Sequence, residues 1–251
     1  SCIGEPVVVP KTLRRMRRRR QAQAVAPRQV ADYQRGMVAQ HFAHVDTWVF
    51  DLDNTLYHPS AGLFAQMDVR FAAYVMRVTG LDQARALRRA HDYWVSHGST
   101  LAGLMAEHQI DPDDFLADVH DIDIAHLAPD PLLGAAIAGL QGRKVVYTNG
   151  SENHAKRVLA ARGLTRHFDA VYGVEHANYR PKPTAEAFAA IFTRDGITPT
   201  KAAMFEDEAR NLAVPHDVGM CTVHVHESPE TAPHIHHGAP DLAAFLSQLA
   251  R

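Results

Sequence analysis

Cysteine is scarce in this chain: Cys2 and Cys221 are the whole supply in 251 residues. They lie too far apart in sequence to read as a metal-binding pair, and two cysteines make no disulfide framework. Long apolar runs are missing too. Nothing approaches the ~18 residues that span a bilayer, and no hydrophobic signal-peptide core is visible. Charge of one sign is also lacking. Lys and Arg number 26 against 28 Asp and Glu, a net charge of -2 that draws the chain neither to nucleic acid nor to a membrane. These shortages leave a reduced, cytoplasmic protein as the expectation, with no membrane partner and no nucleic-acid partner. What is present is 46% hydrophobic residues, enough at this length for one sizeable core and a smaller second domain.

Residues 1–41 differ in composition from the rest and read as a basic extension without stable structure. The block Arg14-Arg15-Met16-Arg17-Arg18-Arg19-Arg20 has no interleaved aromatic, which argues against nucleic-acid recognition. A solvated tail, or sequence upstream of a start at Met37, is the expectation.

The folded part is expected to begin near Phe42. Trp48-Val49-Phe50 reads as a buried strand. About 90 residues then separate it from the next strand-like run, Lys144 to Tyr147, far more than an ordinary connection. Apolar spacing and caps predict helices there from Phe64 to Val78, Ala84 to Val95, Leu101 to Glu107 and Asp111 to Val119. From Lys144 strands and helices alternate: strands at 145–147, 170–172, 202–205 and 221–225, helices at 152–162 and 185–193. Such alternation predicts an α/β fold with a parallel, Rossmann-like sheet. The expected domains are a core of 42–57 and 129–251, with a helical cap over 58–128.

Four polar clusters fall where these strands end, the place where parallel sheets bind ligands. Asp51-Leu52-Asp53-Asn54-Thr55 follows the first strand and crowds two carboxylates, a pair that calls for a metal, acid/base work, or both. Thr148-Asn149-Gly150-Ser151 precedes a helix and suits an oxyanion. Arg180-Pro181-Lys182-Pro183 presents an ammonium on a stiffened backbone. Glu206-Asp207-Glu208 is an acidic end of the kind Mg²⁺ prefers. Each cluster alone also reads as a turn or cap; their order is what carries information.

That order resembles the four motifs of the haloacid dehalogenase-like hydrolase superfamily, and the position of the long insertion resembles its first cap class. The resemblance implies Asp51 as nucleophile, forming an aspartyl-phosphate, and Asp53 as the acid and then base. It implies Thr148 and Asn149 as phosphate-binding, Lys182 as the charge-neutralising group, and Mg²⁺ held by Asp51, the Asp53 carbonyl and Asp207, with Glu206 nearby or through water. A halide needs no proton on departure, so an acid at Asp53 favours an alcohol leaving group and hence a phosphate monoester.

The cap segments Tyr93 to Leu104 and Val119 to Asp123 are similar to those of pyrimidine 5'-nucleotidases in this superfamily, as is the opening of the helix from Gly150 to Ala155. A nucleoside monophosphate is therefore the expected substrate, with Tyr93 stacking on the base and His97, Ser99 and Asp121 bonding its polar edges or the sugar. A broad sugar-phosphate phosphatase is the alternative, followed by a phosphosugar mutase or a non-catalytic protein of the same fold. Two residues depart from the pattern: Glu208 where Ser is usual, and Pro215 within a stretch that relatives keep helical. His224, His226, His234, His236 and His237 fit no zinc spacing and read as a solvated loop.

Overall fold

Strand β1 (Thr47–Phe50) is buried along its whole length because strands cover both of its edges and helices cover both of its faces. The computed structural model describes residues 36–249. In it β1, β2 (Arg143–Tyr147), β3 (Ala170–Tyr172), β4 (Ala202–Glu206), β5 (Cys221–Val225) and β6 (His237–Ala239) form one sheet in the order β3-β2-β1-β4-β5-β6. Every pairing is parallel, with Phe50 opposite Val146 on one side and Phe205 on the other. Asp51, Thr148 and Glu206 therefore leave the sheet at neighbouring strand ends.

The period of two in β1 splits the core. Trp48 and Phe50 enter one apolar layer, where Phe50 stacks on Phe205 with centroids 4.6 Å apart. Val49 points the other way, into a layer with Tyr147, Phe188 and Met204. After the cap come the helices α5 (Pro131–Ala138), α6 (Glu152–Ala161), α7 (Ala185–Asp195), α8 (Ala213–Asp217) and α9 (Leu242–Leu246). Pro215 is the third residue of α8, in the first turn, where a missing N–H is tolerated.

Between β1 and β2 lie α1 (Leu63–Thr79), α2 (Gln83–His97), α3 (Thr100–Glu107) and α4 (Pro112–Val119). Their apolar faces meet in a separate small core that includes Tyr74, Val75, Tyr93, Leu104 and Phe115. Local signals set these boundaries. Gly80 and Gly98 end α1 and α2 at φ 72 and 86, and the Asp82, Ser99 and Asp111 side chains cap the starts of α2, α3 and α4.

Three expectations need correction. The fold begins earlier than residue 42: residues 36–41 are helical, and Val38 packs on the core beside Phe42. The arginine block lies outside the described residues. The histidine-rich stretch is not simply a solvated loop, since His224 is buried on β5 and His237 opens β6, the edge strand. Strand β6 and helices α5 and α9 were not anticipated. Each is short, and none carries a periodic apolar pattern of its own.

Gly103 sits where α3 crosses α2, and a β-carbon there would lie 2.1 Å from Cδ1 of the Tyr93 ring. Gly103→Ala gains ~1 kcal/mol of helix propensity but forces a packed ring aside at a cost of ~1–3 kcal/mol or more. Urea unfolding is expected to show a net loss of stability. A variant more stable than the parent would mean that the Tyr93 ring is not held there.

Candidate active site

Lys182 is 1% exposed, and its Nζ donates to Asp51 Oδ1 at 2.6 Å, to Glu206 Oε2 at 2.7 Å and to the Tyr147 carbonyl at 3.1 Å. All three ammonium protons are thus committed, each to a different strand end. The Asn149 side chain clamps the lysine backbone from both sides: Lys182 N–H donates to its Oδ1 at 2.7 Å, and its Nδ2 donates to the Lys182 carbonyl at 3.2 Å. Asn149 side-chain atoms are therefore spent on placing Lys182 rather than on meeting a phosphate directly. Thr148 Oγ1 accepts from Gly150 N–H at 2.9 Å, which fixes the turn before α6.

The two aspartates of the first motif diverge once the chain leaves β1. Asp51 keeps the ladder direction, its N–H bonded to the Phe205 carbonyl, and Thr55 Oγ1 donates to its Oδ2 at 3.2 Å. Asp53 turns toward α6, where Tyr57 Oη and His154 Nε2 both donate to its Oδ1, at 2.7 and 2.9 Å. Just after them Asn54 adopts φ 58, a left-handed conformation that Asn tolerates, and its Nδ2 donates to Asp207 Oδ2 at 3.2 Å. Different partners hold the two carboxylates apart: Lys182 and Thr55 for Asp51, Tyr57 and His154 for Asp53.

Ligand oxygens of Asp51, Glu206 and Asp207 lie within 4.8 Å of one another. Burial and the nearby Glu206 push the Asp51 carboxyl up to about 7, against the pull of Lys182. Burial, Asp51 and Glu206 push Asp207 up to about 9. Burial acts to lower the Lys182 pKa, but Asp51 and Glu206 outweigh it and hold the ammonium charged. Three acids thus face one cation, and a hard divalent ion with oxygen preference fits the remaining deficit. The donor set suits Mg²⁺. Glu206 is the least available of the three, because its Oε2 meets Lys182 and its Oε1 accepts from Asn211 Nδ2 at 3.1 Å. His224, which accepts from Glu230 N–H at Nδ1, donates from Nε2 to the Asp207 carbonyl at 2.8 Å and pins that loop. Glu208 lines the cavity but stands outside the cluster.

The model of the haloacid dehalogenase-like hydrolases matches residues 45–219, from the start of β1 past α8. The chain belongs to that family. Phosphate metabolism protein 8 of Saccharomyces cerevisiae is 27% identical over 191 residues, 68% of this chain and 58% of the yeast protein. Fructose-1-phosphate phosphatase YqaB of Escherichia coli is 32% identical over 98 residues, 39% of this chain and 52% of that protein. The matched stretches thus span little more than half of either relative. Among solved structures, a phosphatase of this family from Thermococcus onnurineus matches with a TM-score of 0.53 at 17% identity, covering 79% of this chain and 94% of that one. The hydrolase YfnB of Bacillus subtilis, solved with magnesium, gives 0.51 at 14% identity, covering 82% and 98%. At such identities the two structures bear on fold alone.

In this family member a cavity of about 840 Å³ lies between cap and core, with Asp51, Asp53, Thr148 and Lys182 at its floor and Phe64, Phe71, Leu87, Trp94 and Leu116 among its cap walls. The expected base-binding residues are mostly elsewhere. Tyr93 is 1% exposed inside the cap core, its hydroxyl bonded to Glu107, so it does not reach the cavity. His97 bonds Ser96, and Asp121 pairs with Arg70 at 2.6 Å; neither lines the cavity. Ser99 borders it, but its Oγ accepts from Ala102 N–H as the α3 cap. The reason is helical phase. Leu87, Ala90, His91 and Trp94, spaced i, i+3, i+4 and i+7, form the inward stripe of α2, and Tyr93 falls off that stripe. Arg210, which sequence reasoning passed over, lies 3.7 Å over the Trp94 ring and bridges core to cap.

Asp207 keeps its proton from the ordinary 3.8 up to about 9 when folded, so the folded state binds the extra proton across that window. The metal-free protein therefore loses stability as pH rises through it, and a cation offsets the loss. Thermal melts are expected to show Mg²⁺ raising Tm more at about pH 8.5 than at about pH 5.5. Asp207→Asn is expected to flatten the pH dependence and remove the Mg²⁺ response. An undiminished response in that variant would take Asp207 out of the ion site.

Proposed function

We propose that the protein is a Mg²⁺-dependent phosphate-monoester hydrolase acting on nucleoside monophosphates, with pyrimidine nucleotides as the expected substrates and the cytoplasm as its compartment. One observation carries the reaction class: Asp53 stands apart from Asp51, with its own hydrogen-bond donors, beside Thr148 on the cavity floor. A nucleophile with a second, separately supported carboxyl two residues on is what an alcohol leaving group requires.

In this reading Asp51 attacks phosphorus and its oxygen forms the new P–O bond. The bond to the leaving oxygen breaks, and Asp53 gives that oxygen its proton. Asp53 then takes a proton from water as the water attacks the aspartyl-phosphate, releasing phosphate and restoring Asp51. Lys182, charged and fixed by Asn149, offsets negative charge on Asp51 throughout. Mg²⁺, held by Asp51 and Asp207 with Glu206 behind them and the Asp53 carbonyl as a further ligand, would let the carboxylate and phosphate approach each other.

The cap supports the substrate class. Its walls offer Phe64, Phe71, Leu87, Phe115 and Leu116, apolar surface suited to a flat base rather than to a bare sugar. A sugar phosphatase is the second reading, favoured by the similarity to the fructose-1-phosphate phosphatase of Escherichia coli.

Phosphate release from a panel of nucleoside 5'-monophosphates and sugar phosphates, with Mg²⁺ and with chelator, tests both readings. Pyrimidine nucleotides are expected to turn over fastest, and chelator to stop turnover. Asp51→Asn is expected to abolish activity, while Asp53→Asn lowers it by about 10²–10⁴. Fructose 1-phosphate leading the panel would replace the nucleotide reading, and full activity of Asp51→Asn would refute the nucleophile.

A further inference from the structure

The two carboxylate oxygens of Asp53 are not equivalent. Oδ1 accepts from Tyr57 Oη at 2.7 Å and from His154 Nε2 at 2.9 Å, whereas Oδ2 has Thr148 Oγ1 at the limit of hydrogen bonding, 3.5 Å. His154 is fully buried in the first turn of α6. Its Nδ1 has no hydrogen-bond partner among the described residues. One face of the ring is covered by His120, parallel within 13° and 4.4 Å away, whose own Nδ1 pairs with Ser151 Oγ. A buried imidazole with one nitrogen unsatisfied is costly to fold, and an apolar residue would fill the space without that cost. The polar contact that justifies the ring is the one to Asp53.

We propose that His154 is the positioning residue of the acid/base step, an inference that rests on the phosphatase reading above. With Tyr57 it occupies Oδ1, so the Asp53 carboxyl cannot rotate its two oxygens freely. Oδ2 is left toward Thr148 and the cavity floor. The proton passed to the leaving oxygen then travels from Oδ2, Asp53 is left as the carboxylate, and the same oxygen later takes the proton of the attacking water. His154 touches neither substrate nor phosphorus. His120, from the end of α4, holds the ring in plane from the cap side, so cap and acid are mechanically linked.

The test separates positioning from general support of the fold by varying the leaving group. An alkyl ester, such as a nucleoside 5'-monophosphate, needs a proton on its departing oxygen; p-nitrophenolate departs without one. Single-turnover release of alcohol is measured for both esters in wild type, His154→Ala, His154→Gln and Tyr57→Phe. His154→Ala is expected to slow the alkyl ester about 50-fold and p-nitrophenyl phosphate less than about 3-fold, a part of the 10²–10⁴ that a whole acid contributes. His154→Gln, whose amide nitrogen can replace Nε2 as donor, is expected to recover most of the loss on the alkyl ester. Tyr57→Phe, which keeps the ring but removes the other donor, is expected to show the same selectivity with a smaller loss. Equal slowing of both esters in His154→Gln and Tyr57→Phe would make the contact merely structural and overturn the inference alone, as would an unchanged alkyl rate in His154→Ala. Absence of release from either ester by wild type would overturn the phosphatase reading and this inference together.

Discussion

The buried ammonium of Lys182 is the constraint around which this active centre is arranged. It satisfies Asp51 and Glu206 at once and bonds the Tyr147 carbonyl, so the ends of β1, β2 and β4 are tied by one group. Two carboxylates at such distances could not share a dry site without it. With Asp207 added, one lysine is insufficient, and the surplus of acidic oxygens suits a cation. The same surplus costs stability without a cation, because the clustered acids repel each other.

The core and the cap divide the work. Four strand ends supply groups whose positions are set by backbone register and by a clamp such as Asn149, and these do not depend on what the substrate is. The cap supplies a wall of α2 residues, anchored to the core by Arg210 over Trp94 and by hydrogen bonds from Arg210 to the Trp94 and Gly98 carbonyls. The polar floor and the apolar walls come from separate bodies, which meet in one cavity. The His120–His154 stack is a place where a residue from the end of the cap's last helix touches the apparatus behind Asp53.

Much of the fold was readable because its signals are local. Gly80 and Gly98 stop helices, Asp82, Ser99 and Asp111 start them, and short apolar runs mark β1, β2, β4 and β5. The elements that escaped have no such signal. Strand β6 is three residues, His237 to Ala239, and exists because β5 offers it an edge. Among the site residues, Asp51, Asp53, Thr148, Lys182 and Asp207 could be proposed from order alone, since each follows a strand and parallel strands deliver their ends to one place.

What order could not supply was direction. The polar cap residues were picked by type, yet a helix turns 100° per residue, so Tyr93 is interior while Trp94 beside it faces the cavity. Nor could order reveal that Asn149 serves Lys182, that His224 holds the Asp207 loop, or that His154 stands behind Asp53, 101 residues away in sequence. Those pairings arise only when strands fall into register and bring distant turns within hydrogen-bond reach. Residue type and spacing along the chain determined which groups reach the strand ends; packing in three dimensions determined which atom of each group is left open to the cavity.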